Sequence, residues 1–311
     1  MRDRPTKENM NRARTLQLQR NGGQHVGHQR PSSLTNGRGT RPRQLLTRIN
    51  AAAKALVGWL LFRSGIYRML WRRRAVVVVF HRVNDAIQND PITCTTAQFE
   101  RFVRFFAQFF EVISLGELLR RLESGEVLPP SLTITFDDGY RGNATIAAPI
   151  LERHGLRACF FVTTAFIGSE HIPEWDQELG IKTMWMSWDQ VRALRAAGHE
   201  IGSHTATHID MGTTPPDRAR EEIVTANDRL QRELGQASGL FAYPFGARTN
   251  MSAANQEMLR ASGLRCSLSA YGGTVRAGDD LLNLRRVNIS DWFRSPYQFG
   301  FELIAGRLEQ D

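Results

Sequence analysis

The sequence predicts an α/β protein: a barrel of about seven parallel strands alternating with helices, behind a basic N-terminal extension. Three observations carry this. Apolar strand-like runs recur from residue 75 onward with helical stretches between them, and repeated βα units build either a barrel or an open parallel sheet. Their number, for a chain of this length, suits a barrel better. The charge is also split. Residues 1–84 hold 18 Lys/Arg against 2 Asp/Glu, net +16, and the remainder holds 22 against 29, net −7.

Residues 1–43 are rich in Arg, Gln, Asn, Gly and Pro. Such a composition cannot offset its ordering entropy, so a disordered basic tail is expected. Residues 44–74 read as a basic amphipathic helical segment. Leu45, Ile49, Ala52, Leu56, Trp59, Leu60 and Tyr67 step mostly by three or four, among Arg48, Lys54, Arg63 and Arg68. Such a helix either lies on an anionic membrane surface, inserting Trp59, Leu60, Phe62 and Trp71, or packs on the domain that follows. The apolar run 55–62 is bounded by Lys54 and Arg63, far short of the roughly 20 residues that span a bilayer. No small-residue cleavage site follows it. The expectation is a protein of the cytoplasm, or peripheral on the cytoplasmic face of the inner membrane, unless the start codon has been misread. Nucleic acid is not an expected partner, because the body is acidic and carries no DNA- or RNA-binding signature.

From residue 75 the strands and helices follow in order. AVVVVF (75–80) is a continuous apolar run, as in a strand buried on both faces. A helix begins near Ala97, with Phe99, Val103, Phe106 and Phe110 on one face. Ser114 with Glu117, and Ser187 with Gln190, have the spacing of capping boxes. Further strands are expected at 131–136, 158–162, 199–203, 239–243 and 265–269. Cys94, Cys159 and Cys266 are too widely spaced for a zinc knuckle or a redox pair, and Cys159 and Cys266, in apolar strand-like runs, read as buried thiols.

Polar residues with chemical potential fall at the ends of these strands. TFDDGY (135–140) places Asp137 and Asp138 side by side, and adjacent carboxylates call for a counter-charge. In SHTATH (203–208), His204 and His208 are four apart, so one helical turn would put both rings on one side, as a shared metal requires. His81 follows the first strand, and FAYPFG (241–246) is a turn whose backbone N–H groups could face a developing oxyanion. Each signal alone is ambiguous. Together, two His and one carboxylate at neighbouring strand ends have the make-up of a hydrolytic metal site.

TFDDGY, WMSWDQVRALRAAGHEIGSHTATH and FAYPFG resemble the motifs of the polysaccharide deacetylase family, the NodB homology domain or carbohydrate esterase family 4, over about residues 75–293. The resemblance implies a distorted (β/α) barrel over 75–311 and one divalent metal, zinc being the expected ion. By position, Asp138, His204 and His208 would be the ligands. Asp137 would be the general base, and the backbone N–H of Phe245 would hold the oxyanion. No His occurs beyond His208, where the family's late catalytic histidine would stand. A circularly permuted branch, resembling the deacetylases of poly-N-acetylglucosamine export, supplies that residue from the first strand, which makes His81 the candidate general acid. Ala242 stands where many members carry an Arg that pairs with the base. Arg286 is the expected substitute, with Arg285 its rival. Tyr243 and Trp292 are candidate substrate contacts. The implied function is metal-dependent hydrolytic removal of N-acetyl groups from an amino-sugar-containing glycan, releasing acetate. The alternatives are an enzyme for a small or lipid-linked N-acetylated molecule, or a non-catalytic carbohydrate-binding relative.

Overall fold

The computed structural model describes residues 40–87, 90–290 and 293–308. The expected disordered tail therefore lies mostly outside the described residues, as does Trp292. Helix α1 (Thr40–Arg63) reaches back into that expected tail. The single helical segment expected over 44–74 is two helices. Gly65 adopts φ 78°, a left-handed conformation that suits glycine, and the chain restarts as the short α2 (Ile66–Leu70). From Arg48 onward the chain folds as one compact unit.

Strand β1 (Ala75–Phe80) is buried along its whole length. Two short strands, β2 (Arg82–Val83) and β3 (Thr93–Cys94), pair with each other. Helix α3 (Thr96–Phe109) follows, capped by Thr95 Oγ1, which accepts the Gln98 N–H at 3.2 Å. It buries Phe99, Phe102, Val103, Phe105, Phe106 and Phe109, a wider apolar face than expected; Phe110 is its C-cap, not part of its face. Then come β4 (Glu111–Val112), α4 (Leu115–Glu123), β5 (Ser131–Phe136), a π-helical turn Asn143–Ala147, α5 (Ala148–Arg153) and β6 (Cys159–Val162). The chain continues through α6 (Glu174–Glu178), α7 (Trp188–Ala196), β7 (Glu200–Ser203), α8 (Pro216–Leu234) and β8 (Leu240–Ala242). It ends with α9 (Ala253–Arg260), β9 (Cys266–Leu268), β10 (Val287–Asn288) and α10 (Pro296–Ile304). At α7 the capping box of Ser187 and Gln190 is complete. At α4 only half forms: Ser114 accepts the Glu117 N–H, while the Glu117 carboxylate turns outward to Arg120 and Arg121.

The sheet runs β10-β1-β5-β6-β7-β8-β9, with β4 beside the start of β5, and every pairing is parallel. Its curl brings the segment entering β10 against β9. The Leu284 N–H donates to Ser267 O at 2.9 Å, and the Ser269 N–H donates to Leu284 O at 2.9 Å. The expected seven-strand α/β barrel is present as this curled parallel sheet.

Alternation along the strands divides the core in two. Val76, Val78 and Phe80 of β1, Leu132, Ile134 and Phe136 of β5, and Phe160 and Val162 of β6 join the helices in the outer layer. Ala75, Val77, Cys159, Phe161, Ala242, Cys266 and Leu268 fill the inside of the curl. Phe80, Phe136 and Phe160 are register partners and form one row, with centroids 5.5 and 4.8 Å apart. Because this row faces outward, the next residue on each strand, His81 and Asp137, turns inward over the sheet. Cys159 and Cys266 are buried thiols, as expected, and Cys94 is buried as well; burial pushes Cys266 up to about 12, far from a reactive thiolate.

Candidate active site and metal centre

Asp137 and Asp138 leave β5 at the C-terminal end of the sheet. The Asp137 N–H still donates to Phe80 O at 3.0 Å, so its position is set by β1. The chain then turns sharply, with Asp138 at φ 71° and Gly139 at φ 98°. Arg286, which lies just before β10, grips Asp137 with both terminal nitrogens, Nη1 to Oδ1 and Nη2 to Oδ2, each at 2.7 Å. Its Nε donates to Ser269 O at 2.7 Å and its Nη1 to Thr135 Oγ1 at 3.2 Å, so the guanidinium is held on every side. Arg285 instead faces Asp279, at 3.5 Å. Burial alone would push the Asp137 carboxyl upward, but Arg286, His204 and His81 together hold it below the ordinary carboxylate value.

Asp138, His204 and His208 converge. Asp138 Oδ1 lies 3.4 Å from His204 Nε2 and 3.3 Å from His208 Nε2. The ring centroids of the two histidines are 5.0 Å apart. No helical turn achieves this, contrary to the sequence expectation. The loop after β7 does it with two residues in the left-handed region, Thr205 at φ 63° and His208 at φ 62°. The His208 N–H donates to Thr205 Oγ1 at 2.9 Å. Of the five non-glycine residues at positive φ among the described residues, four are here: Asp138, Thr205, His208 and Phe245. Strain of this kind persists only where the surroundings enforce it, and it concentrates at functional sites.

These three side chains fit a divalent cation. His204 Nδ1 lies 2.8 Å from Ala242 O; since a carbonyl only accepts, Nδ1 carries the proton and Nε2 keeps its lone pair toward Asp138. Asp138 Oδ1 is buried with no hydrogen-bond donor among the described residues, which is costly unless a cation completes it. Burial opposes ionisation of Asp138 too, yet His204 and His208 hold it well below its ordinary value. The three donor atoms all lie within 4.8 Å of one another. An N₂O donor set of this kind suits zinc and leaves coordination positions open.

His81 is half-buried at the end of β1, where the charged groups bearing on it are Asp138, Asp137, Arg286 and His204. Burial pushes its imidazole below the ordinary value, against the pull of the two carboxylates. Phe245, at φ 62°, is 54% exposed, with its ring 4.7 Å from that of His208. Its backbone N–H donates to no group among the described residues. Tyr243 corrects an expectation. It is 1% exposed and packs on Phe241 in a cluster with Met211, Met251 and Leu259, so its ring has no face to offer a ligand.

A profile of the family described as polysaccharide deacetylase matches residues 124–265, which hold Asp137, Asp138, His204, His208 and Phe245. Residues 124–265 are thus similar to the polysaccharide deacetylase family. A putative polysaccharide deacetylase of Bacillus subtilis, YxkH, is 25% identical over 160 residues, covering 50% of each chain. The chain thus spans about half the length of this curated relative. Two solved structures share the fold. IcaB from Ammonifex degensii has a TM-score of 0.63 at 20% identity, covering 74% of this chain and 97% of its own. The Streptococcus pyogenes deacetylase PplD, in complex with acetate, has a TM-score of 0.62 at 20% identity, covering 73% and 96%.

Several residues at the site escaped sequence reasoning. Trp175, on α6, packs its ring 4.8 Å from His208, and its Nε1 donates to Tyr140 Oη at 3.0 Å. Arg82, next to His81, lies over the Tyr140 ring and donates to Asp176 Oδ1 at 2.6 Å, which ties α6 to the end of β1. No periodicity marks Trp175, because it sits in the long connection between β6 and α7. Glu222 on α8 is 2% exposed; its carboxylate accepts the Thr207 N–H and hydroxyl, each at 2.8 Å. It anchors the loop that carries His208. Glu222→Ala is expected to loosen this loop and weaken divalent-metal binding at the cluster by roughly 10-fold or more, as loss of a supporting partner does. Equilibrium dialysis measures this, and unchanged affinity would show the loop to be held by its own strained turns.

Proposed function

We propose that the chain hydrolyses N-acetyl groups from an amino-sugar-containing glycan, releasing acetate, with one divalent ion, zinc by preference, held by Asp138, His204 and His208. One observation carries the reading. An uncompensated Asp-His-His cluster lies directly beside an ionised Asp137 gripped by Arg286. A purely carbohydrate-binding surface has no need of that arrangement. The family match over residues 124–265 supports the substrate class, and acetate, bound to the S. pyogenes fold relative, is the expected product.

A divalent cation bound there would supply Lewis acidity to the acetyl carbonyl and to water. The remaining work falls to the chain. Asp137 takes a proton from the attacking water, and Arg286 fixes its orientation by using both carboxylate oxygens. The Phe245 N–H, uncommitted within the described fold, donates to the developing oxyanion. His81 gives its proton to the departing nitrogen, which leaves poorly as an amide anion. Trp175 and Phe245 form an aromatic wall beside His208 on which a sugar face can stack.

The test is acetate release from chitooligosaccharides, peptidoglycan fragments, lipid-linked N-acetylglucosamine and small N-acetylated molecules, after chelation and after zinc is restored. Zinc-dependent release from a glycan is expected. Release only from small molecules would replace the substrate, and no release from any would leave a binding protein. His81→Ala is expected to keep the metal and lose turnover by on the order of 10²-fold or more. Full activity in that variant would place the acid elsewhere.

A further inference from the structure

Helix α1 is apolar on two opposite faces. One face is packed: Gly58 and Phe62 are buried, and Leu61 lies against the core. A Cβ at Gly58 would meet Tyr297 O at 2.0 Å, so glycine permits the close approach to α10. Phe62 stacks on Tyr67 at 4.4 Å, and Lys54 pairs with Glu302 at 2.5 Å across the same contact. The sequence expectation that Phe62 and Trp71 insert into lipid is therefore overturned, since both are only 2% exposed.

The opposite face is open. Ile49, Leu56 and Leu60 fall in one line along the helix, flanked by Val57 and Trp59, and all are exposed, Leu56 by 60%. Helix α2 adds exposed Ile66, Met69 and Leu70. A helix that is apolar all round needs a second partner for its second face. The charge says which kind. From residue 9 to residue 84 the chain has no Asp or Glu. Exposed Arg63, Arg72, Arg73 and Arg74 form no ion pair among the described residues, and exposed Arg68 meets only the Tyr67 hydroxyl and ring. A second copy docked face to face would set arginine against arginine. No helix of the described residues is long and apolar enough to cross a membrane.

We propose that this face seats the protein on an anionic lipid surface, with Leu56, Trp59 and Leu60 entering the interface and Arg63, Arg68 and Arg72–Arg74 meeting lipid phosphates. The seat is separate from the chemistry of the metal cluster. Full-length protein is sedimented with phosphatidylcholine vesicles with and without phosphatidylglycerol, at low and high salt. Binding should require the anionic lipid and weaken with salt without vanishing, because salt does not screen the apolar contribution. Leu56→Ser/Trp59→Ser/Leu60→Ser should lower binding by about tenfold or more, with zinc content and melting temperature unchanged. Leu56→Gln/Leu60→Gln, which keeps helix-forming residues, should give a smaller loss in the same direction. The proposal is overturned if the wild type stays in the supernatant, or if both variants bind as well as the wild type. It is also overturned if the wild type forms a dimer without lipid that the substitutions dissolve.

Discussion

Replacing His204 or His208 by alanine is expected to abolish bound zinc and turnover together. Each ring contributes its Nε2 to the same point beside Asp138 Oδ1, at 3.4 and 3.3 Å. With one ring gone, the cluster keeps one nitrogen and one oxygen, too few to compete with water for the ion. The loss should exceed the roughly 10- to 100-fold that follows from removing a ligand's hydrogen-bond partner. The His208 loop is anchored separately by Glu222, so His208→Ala should still fold. Metal content by mass spectrometry or dialysis reads the result. Stoichiometric zinc in the double variant would mean that the three residues are not the site.

Asp137→Asn is expected to keep the metal and to lower turnover by on the order of 10²-fold or more, because the amide cannot take the proton. Arg286 acts through Asp137, so its variants need a different readout. Arg286→Lys keeps the charge but cannot hold both oxygens. Arg286→Ala removes a cation that keeps the Asp137 carboxyl low. With the cation gone the carboxyl titrates higher, the base is ionised only at higher pH, and the acidic limb of the pH–rate profile moves upward. Breaking this fully buried pair also destabilises the fold by about 3 kcal/mol. A purely structural arginine would lower stability and leave the profile in place. Arg285→Ala, whose partner is Asp279, should change neither.

The longest strands were legible because Ala75–Phe80 is apolar throughout and Ser131–Phe136 alternates Leu, Ile and Phe with Ser and Thr. Strands of two residues, such as β4 and β10, carry too little pattern to be seen. Alternation settles the choice between Arg285 and Arg286. Val287 belongs to the outer core, so Arg286 must face inward and Arg285 outward. The histidine pair was legible by spacing, but its geometry was not, since left-handed backbone at Thr205 and His208 leaves no trace in residue type. The break at Gly65 and the two apolar faces of α1 were hidden by a single helical periodicity that merged packed and open residues.

The central claim is that a metal held by Asp138, His204 and His208 and a base at Asp137 cleave an acetamide. Its most direct test follows acetate and new free amine together, from one N-acetylated glycan, with zinc-loaded wild type and zinc-loaded Asp137→Asn. Acetate and amine in equal amounts from the wild type, and almost none from the variant at the same zinc content, is the predicted result. Equal release by the two proteins, or acetate without amine, would contradict it.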